Sequence, residues 1–212
     1  MYFAPLLEHL SGSLIDNAAL TETLCSRHSL DQTARSKVRL IYTPAAQPIR
    51  DVPVAAEQVN SAKLRRRRKI LWAGRMDRQK RFDLVIEIAR AMSGVDFHCW
   101  GKAVLDAAPD LSGLPSNMTI HEPFATYDEL PLSDSDGHLY TAAWDGIPTF
   151  LIECGALGLP IVASAVGGVP ELIDNETGWP VPAGTGTDAY VSALYEMLDA
   201  PGEQVARAQN LQ

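Results

Sequence analysis

From Lys69 onward, short apolar runs alternate with stretches in which apolar residues recur every three or four positions. Such alternation predicts βαβ units around a parallel sheet. Ile70-Leu71-Trp72-Ala73 predicts a buried strand ended by Gly74. Phe82, Val85, Ile86, Ala89 and Met92 then fall on one stripe of a helix over 82–92. Val95 to Trp100 predicts a second strand, Met118 to His121 a third and His138 to Ala142 a fourth. A short helix over 149–157 follows, with Pro148 suited to its start and Gly158 to its end. Pro160 to Ser164 and Trp179 to Val181 supply two more strands, and Thr187 to Leu198 a closing amphipathic helix. The fold class expected is α/β, a Rossmann-like, doubly wound parallel sheet with helices on both faces. Ligands of such sheets bind outside the carboxyl ends of the strands, so the residues just after each strand are the candidates for chemistry.

The first 68 residues read differently. Leu14 to Leu24 fits a strand and a helix, and Val38 to Tyr42 a strand. Residues 43–68, with Pro44, Pro48 and Pro53 and little periodicity, predict a surface loop. Residues 1–35 hold too few elements for a core of their own and are expected to be the remnant of another domain. Residues 36–200 are then the Rossmann-like domain and 201–212 a polar tail. Hydrophobic residues at 46% and charged ones at 21% are globular values. No apolar stretch approaches the ~18 residues of a membrane span, and no leader pattern opens the chain. The expectation is a soluble, intracellular protein.

Charge and cysteine content narrow the function. A formal charge of −8 argues against nucleic acid as the ligand. Three widely spaced cysteines suggest a reducing compartment and neither a disulfide framework nor a zinc site. The histidines never fall at i and i+4 beside a carboxylate, so no metal site is expected. Lys63 to Lys69 contains four consecutive arginines, Arg65 to Arg68. They form either a solvated lead-in to the first strand or a contact with anionic lipid, worth roughly 1 kcal/mol per basic residue near a membrane.

Three constellations follow strand ends. Gly74-Arg75 and Lys80 would place two cations where a glycine lets a diphosphate approach the backbone, or they are ordinary solvated loop cations. Asp145 and Glu153 are two carboxylates on either side of a helix start. Asp145 fits a helix cap as well as a ligand contact. Glu153 projects from a largely apolar helical face, where a carboxylate needs hydrogen-bond donors, either a buried arginine or the vicinal diol of a ribose. Gly167-Gly168-Val169-Pro170-Glu171 is either a tight structural turn or part of a site. The amides opening the 149–157 helix would favour a phosphate beside them.

Gly74-Arg75 with Lys80, Asp145 with Glu153, Gly155 to Ser164, and Gly167 to Ile173 together resemble the C-terminal domain of family 4 (group 1) retaining glycosyltransferases. The resemblance runs from about Arg39 to Leu198. It implies the GT-B architecture, two Rossmann-like domains facing across a cleft, with a missing N-terminal domain that binds the acceptor. Residues 1–35 resemble the last strand and helix of that domain. By resemblance, Arg75 and Lys80 would neutralise the diphosphate of a nucleoside diphosphate sugar in place of a metal ion, with no cofactor. Asp145 would hold a sugar hydroxyl and count with Arg75 and Lys80 as catalytic. Glu153 would hold the ribose. Gly74, Gly146 and the amides of Thr149, Phe150 and Leu151 would line the donor site, and Pro123 or Phe124 would meet the nucleobase. Asp145 stands where the family usually has glutamate, so its carboxylate is retracted by about one bond. The implied activity is sugar transfer with retention in cell-surface polysaccharide or glycolipid synthesis. It is set in the cytoplasm or at the inner face of the membrane, with this fragment inactive alone. Alternatives are a sugar-nucleotide epimerase of the same architecture and a non-catalytic module. Gly184-Thr185-Gly186-Thr187-Asp188-Ala189 fits a loose dinucleotide fingerprint but lies too near the end of the chain to be followed by the strand that such a site needs.

Overall fold

In the computed structural model, which describes residues 9–45 and 67–212, the chain opens with a small unit. Strand β1 (Ser13–Ile15) leads into helix α1 (Ala18–Arg27), capped by the Asn17 side chain, then α2 (Gln32–Ser36) and strand β2 (Val38–Leu40). β2 pairs in parallel with β1, Ser13 opposite Val38, over a cluster of Cys25, Leu30 and Val38. The strand predicted over 38–42 completes a βαβ unit with β1 and, among the described residues, pairs with no other strand.

The larger sheet follows, built from β3 (Arg68–Ala73), helix α3 (Phe82–Ala91), β4 (Val95–Trp100), β5 (Met118–His121) and β6 (Gly137–Tyr140). Helix α4 (Thr149–Ala156), β7 (Ile161–Ala165), β8 (Trp179–Pro182) and α5 (Thr187–Asp199) complete it. All its pairings are parallel, in the order β5-β4-β3-β6-β7-β8. Both faces of the central strands are covered, so β3 and β7 read as apolar runs, whereas β4 alternates buried with half-buried residues. Ile70 and Trp72 face one core with Phe82, Val85 and Ile88 of α3 and Leu194 and Met197 of α5. Leu71 and Ala73 face the other with Leu151 and Cys154 of α4. Each large side chain buried this fully contributes about 1.5–3 kcal/mol. From β3 the chain builds outward through β4 and β5, then returns to β6 and builds the other way. The switch point, where such sheets open a ligand crevice, therefore lies between β3 and β6.

The tail expected over 201–212 is helix α6 (Pro201–Leu211). Its apolar residues are few, so pattern alone does not reveal it, and specific tertiary contacts hold it. Gln204 Nε2 donates to Met197 O at 2.6 Å, and Arg207 donates to Gly178 O at 2.9 Å. The Arg207 guanidinium also lies 4.3 Å from the Trp179 ring centroid, and Leu211 packs on Gly155. Of the basic run, Arg65 and Arg66 lie outside the described residues. Arg67 pairs with Asp96 at 3.0 Å, and Arg68 donates to Leu198 O at 3.0 Å.

Candidate functional site

A cavity of about 350 Å³ occupies the switch point. Two glycines set its edges. Gly101, at φ +138°, passes so close to the Gly74 carbonyl that a Cβ there would stand 1.8 Å from the oxygen. Gly167, at φ +54°, meets the Asp145 carbonyl at the same 1.8 Å. Both positions need glycine for conformation and for space. They press the loops after β4 and β7 against the loops after β3 and β6, which carry the polar groups.

Ala73 ends β3 and Gly74 and Arg75 follow it into the cavity, and Lys80 ends a 3₁₀ turn over Arg78–Lys80. Lys80 Nζ donates to Tyr140 Oη at 2.7 Å, lies 4.7 Å from that ring's centroid and ion-pairs with Asp145. The Tyr140 hydroxyl also donates to Asp145. Burial pushes the Tyr140 phenol far up, and the adjoining Asp145 carboxylate adds to the rise. Burial would raise the Asp145 carboxyl too. Hydrogen bonds from Lys80 and Tyr140 outweigh it and hold the group below the usual carboxylate range, so Asp145 is ionised at neutral pH. Arg75 is steered from behind, its Nη2 donating to Gln79 Oε1 at 2.5 Å and its Nη1 3.5 Å from Asp77 Oδ2.

The facing wall is the start of α4. Ile147, Pro148, Thr149 and Phe150 line it, with Pro148 at the helix cap position. Tyr127 Oη and Thr149 Oγ1 are 3.0 Å apart, and Phe124, Tyr127 and Phe150 form a chain of tilted rings with centroids 5.6 and 6.0 Å apart. Cations, a fixed carboxylate, a helix N-terminus and an aromatic flank thus converge on one space. That arrangement can take a ligand combining an anionic group with a planar one.

Of the residues singled out from sequence, Gly74, Arg75, Lys80, Phe124, Asp145, Thr149 and Phe150 line this cavity. Pro123 does not line it and is exposed. Leu151 lies wholly in the core and its amide donates to Pro148 O at 3.0 Å, which takes it away from any phosphate. Gly146 adjoins the Asp16 carboxylate from the N-terminal unit, where a Cβ would stand 2.9 Å from Oδ2. Glu153 is 4% exposed, and it helps raise the Tyr127 phenol and the Cys154 thiol, after burial in both. Arg75 lines the cavity with Tyr127, and Glu153 does not line it.

The Gly167–Glu171 turn has a structural role. Glu171 accepts the amides of Ala18 and Ala19 at 3.0 and 2.9 Å and the Tyr42 hydroxyl at 2.9 Å. It fastens the N-terminal unit to the larger sheet. Residues that the sequence did not single out are Tyr140, Tyr127, Gln79 and Asp16. Tyr140 ends β6 but falls inside the strand expected over 138–142, so from sequence it reads as core. Nothing local marks the others.

This sheet order and loop set are those of a Rossmann-like half of a GT-B glycosyltransferase. The chain belongs to the family described as Glycosyl transferases group 1, whose model matches residues 67–200. An uncharacterized 41.2 kDa protein in the cps region of Klebsiella pneumoniae is 22% identical over 151 residues, covering 68% of this chain and 41% of that one. The amylovoran biosynthesis glycosyltransferase AmsK of Erwinia amylovora is 44% identical over 73 residues, 34% of this chain and 16% of that one. The chain therefore spans less than half the length of these relatives. Among solved structures, Anabaena Alr3699/HepE in complex with UDP superposes with a TM-score of 0.77 at 15% identity, over 99% of this chain and 60% of that one.

Proposed function

We propose that this chain is the donor-binding half of a retaining glycosyltransferase. The whole protein would move a sugar from a nucleoside diphosphate sugar to an acceptor in cell-surface polysaccharide or glycolipid synthesis. The observation that carries the reading is the convergence of Arg75, Lys80, Asp145 and the start of α4 on one cavity at the switch point. Family membership and the UDP bound by the Anabaena relative support it.

In this reading Arg75 and Lys80 neutralise the diphosphate without a metal ion. Lys80 directs N–H bonds at Tyr140 and Asp145, and the third bond of its ammonium serves a phosphate oxygen. Asp145, kept ionised by its neighbours, accepts a sugar hydroxyl. Glu153 holds the ribose, and Phe124 meets the base. As the anomeric carbon–oxygen bond breaks, its electron pair stays on the diphosphate, and cations already in place stabilise that charge. The acceptor groups come from an N-terminal domain of which residues 9–45 carry the last βαβ unit, so this chain alone is inactive. The reaction is cytoplasmic, and the basic run from Arg65 to Arg68 supplies charge for anionic lipid at the inner face of the membrane.

The test is a thermal-shift comparison of uridine, guanosine and adenosine diphosphates. At about 100 times its Kd, the matching nucleotide stabilises by roughly 2.7 kcal/mol, which raises Tm by about 5–10 °C for a chain this long. Glu153→Ala should fold, by circular dichroism, and lose that shift. No shift from any of the three nucleotides contradicts donor binding, and sugar transfer by this chain alone contradicts its inactivity.

A further inference from the structure

A second groove, of about 480 Å³, opens on the far side of the Arg75 loop. Its floor includes Met76 and Phe82, both buried, and Trp144 stands in its lining with 59% of its surface exposed. An indole so exposed leaves a large flat apolar face in water, where it is available to a ligand.

The polar lining is nearly balanced in charge. Arg78 meets Asp106 at 3.3 Å and Arg81 meets Asp83 at 2.9 Å. Asp77, 3% exposed, also lines the groove. Its Oδ1 accepts the amides of Val104 and Leu105 at 3.1 and 3.3 Å. Its Oδ2 is buried and accepts no hydrogen bond among the described residues, with the Arg75 guanidinium 3.5 Å away. Three carboxylates against two guanidiniums do not suit a phosphate, and arginines seated on those acids do not suit a cation. A neutral polyol fits both halves of the lining. A pyranose lays its C–H face on an indole, its hydroxyls donate to carboxylates, and its oxygens accept from guanidiniums.

The groove shares a wall with the cavity at the switch point. Gln79 accepts from Arg75 through Oε1 and donates to the Trp144 carbonyl through Nε2 at 3.1 Å, and Trp144 directly precedes Asp145. We propose that this groove binds a neutral saccharide unit of the glycan being extended, its ring on Trp144 and its hydroxyls on Asp106 and Arg78. The assignment to a growing glycan rests on the transferase reading, whereas saccharide binding itself does not.

Of the four tryptophans, Trp72 and Trp179 are 1% and 3% exposed and Trp100 is half-buried and stacked on His121, so Trp144, at 59%, is the one most accessible to quenching by acrylamide. The experiment adds maltotriose, cellotriose, mannotriose and chitotriose, each to tens of millimolar, and follows that quenching. At least one trisaccharide should protect the emission. Calorimetry with that sugar should show binding abolished in Trp144→Ala and weakened at least fivefold in Asp106→Asn, with Tm unchanged. Protection by none of the four, or undiminished binding in Trp144→Ala, overturns the proposal. The UDP thermal shift on the same samples reports the donor cavity separately. Sugar binding without a nucleotide shift retains this groove and sinks the donor reading, and the opposite pair of results does the reverse.

Discussion

The cavity at the β3–β6 switch and the groove beside it are built largely by the same loops, yet they hold charge differently. In the cavity, Lys80 and Asp145 have side chains only 16% and 18% exposed, and Tyr140 locks them together. In the groove, Arg78 is 87% exposed, and Arg81 and Asp83 are 40% and 59% exposed. Water screens the second set, whose pairs contribute about 0–1 kcal/mol each. Removal from water fixes the direction of the first set and strengthens its field. A preorganised cationic corner suits a diphosphate whose charge grows during reaction. An exposed, balanced rim suits uncharged hydroxyls. The depth at which each charge is held, more than the number of charges, separates the two sites.

Substitutions can break that difference, and the largest effect should come from the backbone beneath the cavity. Gly167→Ala forces a Cβ toward the Asp145 carbonyl in a left-handed conformation. It should cost about 3 kcal/mol or more and abolish nucleotide binding. Calorimetric unfolding measures it, and an unchanged Tm would mean that the two loops are not in contact.

Acid acts next. His138 lies on β6, wholly buried beside Phe150, and burial pushes its imidazole down to about 4. Because the unfolded chain takes up the proton first, near pH 6.5, stability falls as pH drops from 6.5 toward 4. The full shift is worth roughly 3 kcal/mol. Urea unfolding at pH 7 and pH 4.5 should show that loss in the wild type and a reduced one in His138→Gln. Equal losses would remove His138 as the cause.

Lys80→Met sharpens the comparison. It strips Asp145 of its cation in a poorly hydrated place and should cost about 2 kcal/mol of stability, leaving trisaccharide binding in the groove intact. The smallest effect belongs to the rim, where Asp83→Asn should destabilise by less than about 0.5 kcal/mol. A larger loss in urea titrations would show that the exposed pair at Arg81 is structural.

The fold was legible where burial imposes a simple pattern. Val95 to Trp100, in which buried and half-buried residues alternate, and Met118 to His121 have the bounds expected of them. Strand β3 starts two residues before Ile70, because Arg68 and Lys69 are held by partners elsewhere, Leu198 O and the Asp136 and Asp134 carboxylates. Helix α6 and the β1–β2 pairing escaped because long-range contacts decide them: Gln204 and Arg207 in one case, a parallel crossover in the other. Within the candidate site, Arg75, Lys80 and Asp145 could be read because each lies in the segment that follows a strand end. Their lock through Tyr140 could not, since a strand-end tyrosine reads as core. Nor could Glu171 be assigned to the N-terminal unit, more than 150 residues away in sequence.

The central claim is that Arg75 and Lys80, held by Gln79 and Asp145, grip a nucleoside diphosphate without a metal ion. Calorimetric titration of UDP into the wild type, Arg75→Ala and Lys80→Met, each with and without EDTA, tests it most directly. Wild-type affinity should be the same with the chelator present and fall at least tenfold, about 1.4 kcal/mol, in either variant while the fold persists. Affinity that survives both substitutions, or that disappears with EDTA, would contradict the account.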